Sequence, residues 1–179
     1  MAAAPHFISP EQFESRYTGE KPSYEYWFGE AIRKSMPTSL HGFLQAVLVM
    51  LLLRRGWQAG FEIRLKLSQQ AQPVPDIVAG HGGIQTPYPT KPFDLCVEIL
   101  SPSDALQDVA RKCVHYLNWG IGSVWIIDPE SRRAYLMALD RPQPLELTRS
   151  DYLRAGSSDY EVAISVGELF SEFDQVVSR

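Results

Sequence analysis

Cysteine is scarce in this chain: Cys96 and Cys113 are the 2 present among 179 residues, too few for the disulfide framework of a small secreted scaffold. Reduced thiols are expected. Basic charge is also short, with 17 Lys and Arg against 21 Asp and Glu for a formal net charge of −4, which excludes a protein that coats nucleic acid by charge alone. No long hydrophobic run is present. The most apolar stretch, Ala46 to Leu53, ends at Arg54-Arg55, far below the ~20 residues that cross a bilayer. The opening MAAAPHFISPEQF has neither the positive nor the apolar segment of a signal peptide, so a cytoplasmic protein without a membrane partner is expected. The 4 histidines, His6, His41, His81 and His115, lack HxxxH or HExxH spacing, which argues against a dedicated zinc site.

What is present is a well-stocked core. Hydrophobic residues make up 45% of the chain, with 4 Trp, 8 Tyr and 8 Phe, and the length suits one domain over residues 1–179. Ser9-Pro10-Glu11-Gln12 carries a capping box with proline at the first helical position, predicting a short helix to Tyr17. Tyr24 to Ser35 reads as a strand or bent hairpin. Leu40, Phe43, Leu44, Val47, Leu48 and Leu51 keep helical spacing from a cap at Thr38 or Ser39 until Gly56. Strand-like runs follow at 61–67, 74–79, 93–100, 123–128 and 133–139, with a helix over 103–119 stopped by Gly120. A strand at 161–166 and a short helix at 167–173 close the chain. The pattern predicts an α/β domain, a mixed β-sheet flanked by α-helices.

Two carboxylates stand where strands should be apolar: Asp76 in Pro-Val-Pro-Asp-Ile-Val and Glu98 in Leu-Cys-Val-Glu-Ile-Leu. Unpaired and buried, either would cost several kcal/mol or take up a proton. A strand end or a structural ion pair explains one such residue. Two on consecutive strands, if those strands are neighbours, form a hard-oxygen site suited to Mg²⁺ or Mn²⁺. Lys112 follows Asp108 by four residues, the spacing of an ordinary solvent-facing ion pair worth a few tenths of a kcal/mol. Its helix also starts directly after the Glu98 strand, so a lysine there can instead reach the oxygen site and stabilise charge on a phosphate.

Pro75-Asp76-Ile77, the run Val97 to Asp104, Asp108 to Lys112 to Tyr116, Gly120-Ile121 and Val124 to Pro129 together resemble the Uma2 family of the PD-(D/E)xK restriction-endonuclease-like superfamily. Tyr24 to Glu30, Met36 to His41 and Val162 to Phe170 extend the resemblance over roughly residues 8–175. It implies a restriction-endonuclease-like core and a metal-dependent endonuclease acting on DNA. Asp76 and Glu98 would be the metal ligands, joined by the Ile99 backbone carbonyl, with Mg²⁺ or Mn²⁺ as cofactor. The superfamily's usual lysine position, two residues after the acid, is Leu100 here; the family places its lysine on the following helix, at Lys112. Glu30 is the candidate supporting acid, and cutting both strands of a duplex would suit a homodimer.

Other polar residues read more simply. Cys96 and Cys113 lie on apolar faces as packing residues, His41 borders a helix's first turn, and Asp128 before Pro129 caps a turn. Gly80-His81-Gly82-Gly83 lacks a Walker lysine and is expected as a turn beside the site. Tyr116, Trp119 and Trp125 are expected in the core. Two alternatives to the nuclease stay open: a non-catalytic nucleic-acid or protein-interaction module of the same fold, and a hydrolase using the Asp76/Glu98 pair as general acid and base.

Overall fold

Capping chemistry sets the first element. In a computed structural model, which describes residues 7–178, Ser9 Oγ accepts from Gln12 N and Gln12 Oε1 from Ser9 N, starting α1 (Pro10–Tyr17). His6 lies outside the described residues. The hairpin β1 (Tyr24–Trp27) and β2 (Glu30–Arg33) turns through Phe28 and Gly29, at φ 49° and 98°. Positive φ at both central residues fits a two-residue turn of the primed type, which matches strand twist. Thr38 caps α2 (Ser39–Arg54) through its side chain.

The sequence's alternation over 61–67 does not become a strand. The strand there, β3 (Gln58–Phe61), comes earlier, because Glu62 at φ 53° turns the chain out of the sheet. Leu65 and Lys66 then bond individually to the Pro73 and Pro89 carbonyls. The short β4 (Ala71–Gln72) leads to β5 (Ile77–Gly80) and β6 (Leu95–Ile99). The helix α3 (Leu106–Trp119) ends at Gly120, whose φ is 112° and whose absent Cβ would lie 2.8 Å from Pro92 Cγ. After it come β7 (Ser123–Asp128), β8 (Arg133–Ala138) and β9 (Arg141–Leu147). The strand β9 escapes the sequence reading because it contains Pro142 and Pro144. It is an edge strand, where a missing N–H costs no ladder bond. The chain closes with β10 (Tyr152–Ala155), β11 (Val162–Ser165) and α4 (Val166–Val177).

The main sheet runs β3-β5-β6-β7-β8-β9, beside a three-stranded sheet β2-β1-β4 and the pair β10-β11. Only β6 and β7 are parallel in the main sheet, joined by α3 as a crossover. Both faces are covered. Val97, Ile99, Trp125 and Ile127 pack with α2 and α4, whereas Cys96, Val124 and Ile126 pack with Cys113, Tyr116 and Leu117 of α3. Strand alternation therefore puts Glu98 on the Cys96 side, under α3. Among the described residues no helix is long and apolar enough to cross a membrane.

Candidate active site

The strands β5 and β6 are antiparallel neighbours with Ile77 opposite Val97. One step outward along that register sets Asp76 opposite Glu98 at the end of the pair. Both are buried. Asp76 Oδ2 accepts from the Ile99 N–H at 2.7 Å, so the carboxylate is tied to the neighbouring strand's backbone. From α3, Lys112 Nζ lies 3.0 Å from Glu98 Oε1 and 2.8 Å from Glu25 Oε1 of β1. Tyr116, one turn further on, donates its hydroxyl to the same Glu98 oxygen at 2.7 Å. Lys112 does not pair with Asp108, which instead holds Arg111 at 2.7 Å.

A second cation sits on the other carboxylate. Lys34 Nζ is 2.7 Å from Asp76 Oδ1 and 2.7 Å from the Val74 carbonyl. His41 Nε2 is 3.5 Å from the same Oδ1, and Gln45 donates to the Asp76 backbone carbonyl at 2.7 Å. His41 Nδ1 is buried without a hydrogen-bond partner among the described residues. Glu25 Oε1 also accepts from Val74 N at 2.8 Å, and its Oε2 from Trp27 Nε1 at 3.0 Å. The constellation is thus three carboxylates against two ammonium groups, opening into a cavity of about 530 Å³.

The surroundings set the charge states. Burial works against an ionised Asp76, but the charge of Lys34 and the contact from His41 outweigh it and hold the group well below the usual carboxylate range. Glu25 is likewise buried yet lowered by Lys112 and Lys34. At Glu98 burial prevails over Lys112, and its carboxyl is raised. Lys112 and Lys34 are both opposed by burial and raised by the carboxylates they face, so each ammonium stays charged. Burial pushes the Cys96 and Cys113 thiols far up, which leaves them without nucleophilic character.

A family model, Uma2, described as "Putative restriction endonuclease", matches residues 10–164. The chain belongs to the Uma2 family. A solved structure described as a "putative nuclease belonging to DUF820 from Anabaena variabilis ATCC 29413" is similar at 22% identity, with a TM-score of 0.79 over 93% of this chain and 99% of that one. At that identity the likeness shows a shared fold. No curated protein matches. Uma2 membership and the nuclease-like fold support a nuclease function in general terms.

Within this Uma2 chain, Asp76, Glu98, Ile99 and Lys112 come together, and Glu30 does not. Glu30 is exposed at the start of β2 and does not line the cavity. The acid that the hairpin contributes is Glu25, because it lies on β1, the strand with buried positions, whereas β2 is the outer strand. Sequence reasoning also passed over Lys34 and assigned Tyr116 to packing alone. Lys34 follows a surface strand and carries no burial signal of its own. Tyr116 carried a faint one: it lies four residues after Lys112, on the same helical face. The glycine-rich segment is not beside the site, since β5 separates Asp76 from Gly80. Asp128 caps its turn, accepting from Glu130 N at 2.9 Å and Ser131 N at 3.2 Å.

Among the described residues no cluster of three or more His, Cys, Asp or Glu side chains is arranged to hold an ion. A cage of that kind is not what Mg²⁺ requires: it is commonly held by one or two carboxylates, with water and substrate phosphate completing its shell. Asp76, immediately before β5, and Glu98, on β6, supply that donor set as hard oxygens lining one cavity. The residues fit a small hard cation.

Proposed function

We propose that this protein is a Mg²⁺- or Mn²⁺-dependent endonuclease that hydrolyses phosphodiester bonds of DNA. The observation that carries this reading is the placement of Lys112 Nζ 3.0 Å from Glu98 Oε1, with Asp76, immediately before the adjacent strand β5, bonded to the Ile99 N–H and an open cavity in front. Asp76, Glu98 and the Ile99 carbonyl would hold the cation, which supplies Lewis-acid polarisation of the phosphodiester and acidification of water.

The chain's own residues divide the remaining work. Asp76 is held ionised and fixed by the Ile99 N–H, so it presents charge without reorganising. Lys112 stays protonated, which makes it an electrostatic and orienting group and not a proton acceptor. Its ammonium hydrogens can direct an attacking water and offset negative charge developing on phosphate. Glu25 and Tyr116 fix Lys112 and Glu98 respectively. Lys34 neutralises Asp76 and lies 17% exposed toward the cavity, placed to meet a phosphate oxygen.

The test is conversion of supercoiled plasmid by purified protein with added Mg²⁺ or Mn²⁺. Cleavage that chelator stops and Asp76→Asn abolishes supports the reading. No cleavage of any DNA form with either metal overturns it and leaves the non-catalytic module.

A further inference from the structure

The catalytic cavity has a second wall that the phosphodiesterase reading does not use. It is aromatic, built from Trp27, Phe28 and His115. Ring centroids lie 5.1 Å apart for Trp27 and His115, 5.5 Å for Phe28 and His115, and 6.2 Å for Trp27 and Phe28. The three rings already touch one another, so nothing slots between them, and an incoming flat group must lie on their outward face.

Phe28 is 56% exposed and stands at φ 49° in the β1–β2 turn. Asn or Gly would suit that position, and a bulky side chain there costs about 1–2 kcal/mol. The ring buries little in return. The platform is also wired to the polar site: Trp27 Nε1 donates to Glu25 Oε2 at 3.0 Å, and Glu25 holds Lys112. His115 follows Lys112 by three residues on α3, less than one helical turn away. Arg33 and Arg111 line the same cavity, which at about 530 Å³ is in the size range of small-molecule sites.

A wall of π faces beside a phosphate-directed site fits a nucleobase joined to the phosphate being cut. In an intact duplex each base face is already stacked, so such a platform can engage only a base that is unpaired or extruded. We propose that Trp27, Phe28 and His115 stack an unpaired base beside the scissile phosphate, and that the preferred substrate is DNA with a single-stranded or extruded nucleotide at the cleavage point. This rests on the nuclease reading above and narrows its substrate class.

Binding is measured in chelator, where no cutting occurs, using fluorescein-labelled single-stranded, gapped and fully paired oligodeoxynucleotides. A second set carries 2-aminopurine at the unpaired position, whose emission falls on stacking. Wild-type protein should bind the single-stranded and gapped probes about ten-fold or more tightly than the duplex, the scale of one base-on-aromatic stack, and quench 2-aminopurine. Phe28→Asn removes the ring while relaxing the turn, and together with His115→Ala it should erase most of that preference and the quench. Phe28→Trp should retain both. Melting temperature of each variant separates lost stacking from lost folding. Equal affinity for duplex and gapped DNA, or quenching that survives in the folded Phe28→Asn/His115→Ala double variant, overturns the proposal. Plasmid cleavage with Mn²⁺ is read separately, so a failure of the nuclease reading is not mistaken for a failure of stacking.

Discussion

Lys112 reaches Glu98 across the β6–α3 crossover, Nζ to Oε1 at 3.0 Å, and shares itself with Glu25 at 2.8 Å. A lysine bridging two buried carboxylates ties three elements together: β1, β6 and α3. Removing one member of a buried charge group leaves the others uncompensated, at a cost of about 3–5 kcal/mol. Lys112→Met should therefore lower stability by that order, measured by urea unfolding. Pairing it with Glu25→Gln should recover part of the loss, because one stranded carboxylate is then neutral.

Asp76→Asn keeps an acceptor for the Ile99 N–H and loses the charge. Cleavage should drop by about 10²-fold or more, the magnitude of losing one preorganised electrostatic group, measured at a temperature where the variant is folded, because the stranded Lys34 ammonium also lowers the melting temperature. Glu98→Gln should behave alike.

Glu25 and Glu30 provide a matched pair. Glu30 is exposed and outside the cavity, so Glu30→Ala should change stability by no more than about 0.5 kcal/mol and leave cleavage unaltered. Glu25→Ala removes the Lys112 contact and the acceptor for Val74 N, and should impair both folding and cleavage.

Acid stability should follow Asp76, already held well below the usual carboxylate range, together with Glu25. Burial opposes ionisation of Glu25, yet Lys112 and Lys34 keep its pKa below the ordinary 4.5. A depressed carboxylate contributes stability that is present above its unfolded pKa and is lost as pH falls through the folded one. Urea midpoints taken downward from neutral pH should decline below pH 4.5, and Glu25→Gln should make that limb shallower.

Lys34 holds Asp76 Oδ1 at 2.7 Å, where its charge repels an arriving cation. Lys34→Met should bind Mn²⁺ about ten-fold more tightly by calorimetry, a difference of ~1.4 kcal/mol. Weaker cleavage in the same variant would fit a role for the ammonium on phosphate.

The sequence by itself determined the helices α1, α2 and α3, because caps, 3.6-residue spacing and a terminal glycine are local signals. It also determined that Asp76 and Glu98 were out of place, because a carboxylate inside an apolar strand is anomalous before any fold is known. Strand β9 and the irregular 62–67 segment were hidden, since prolines on an edge and a positive φ at Glu62 break the alternation that marks strands. Only the tertiary structure decided which charges meet. Ion pairing acts over a few ångströms and is blind to chain separation, so Lys112 bypasses its i−4 neighbour Asp108 for Glu25 and Glu98, and Lys34 finds Asp76. The same packing turned an aromatic hairpin tip and a histidine on α3 into one wall of the cavity, a contact that no periodicity in the chain encodes.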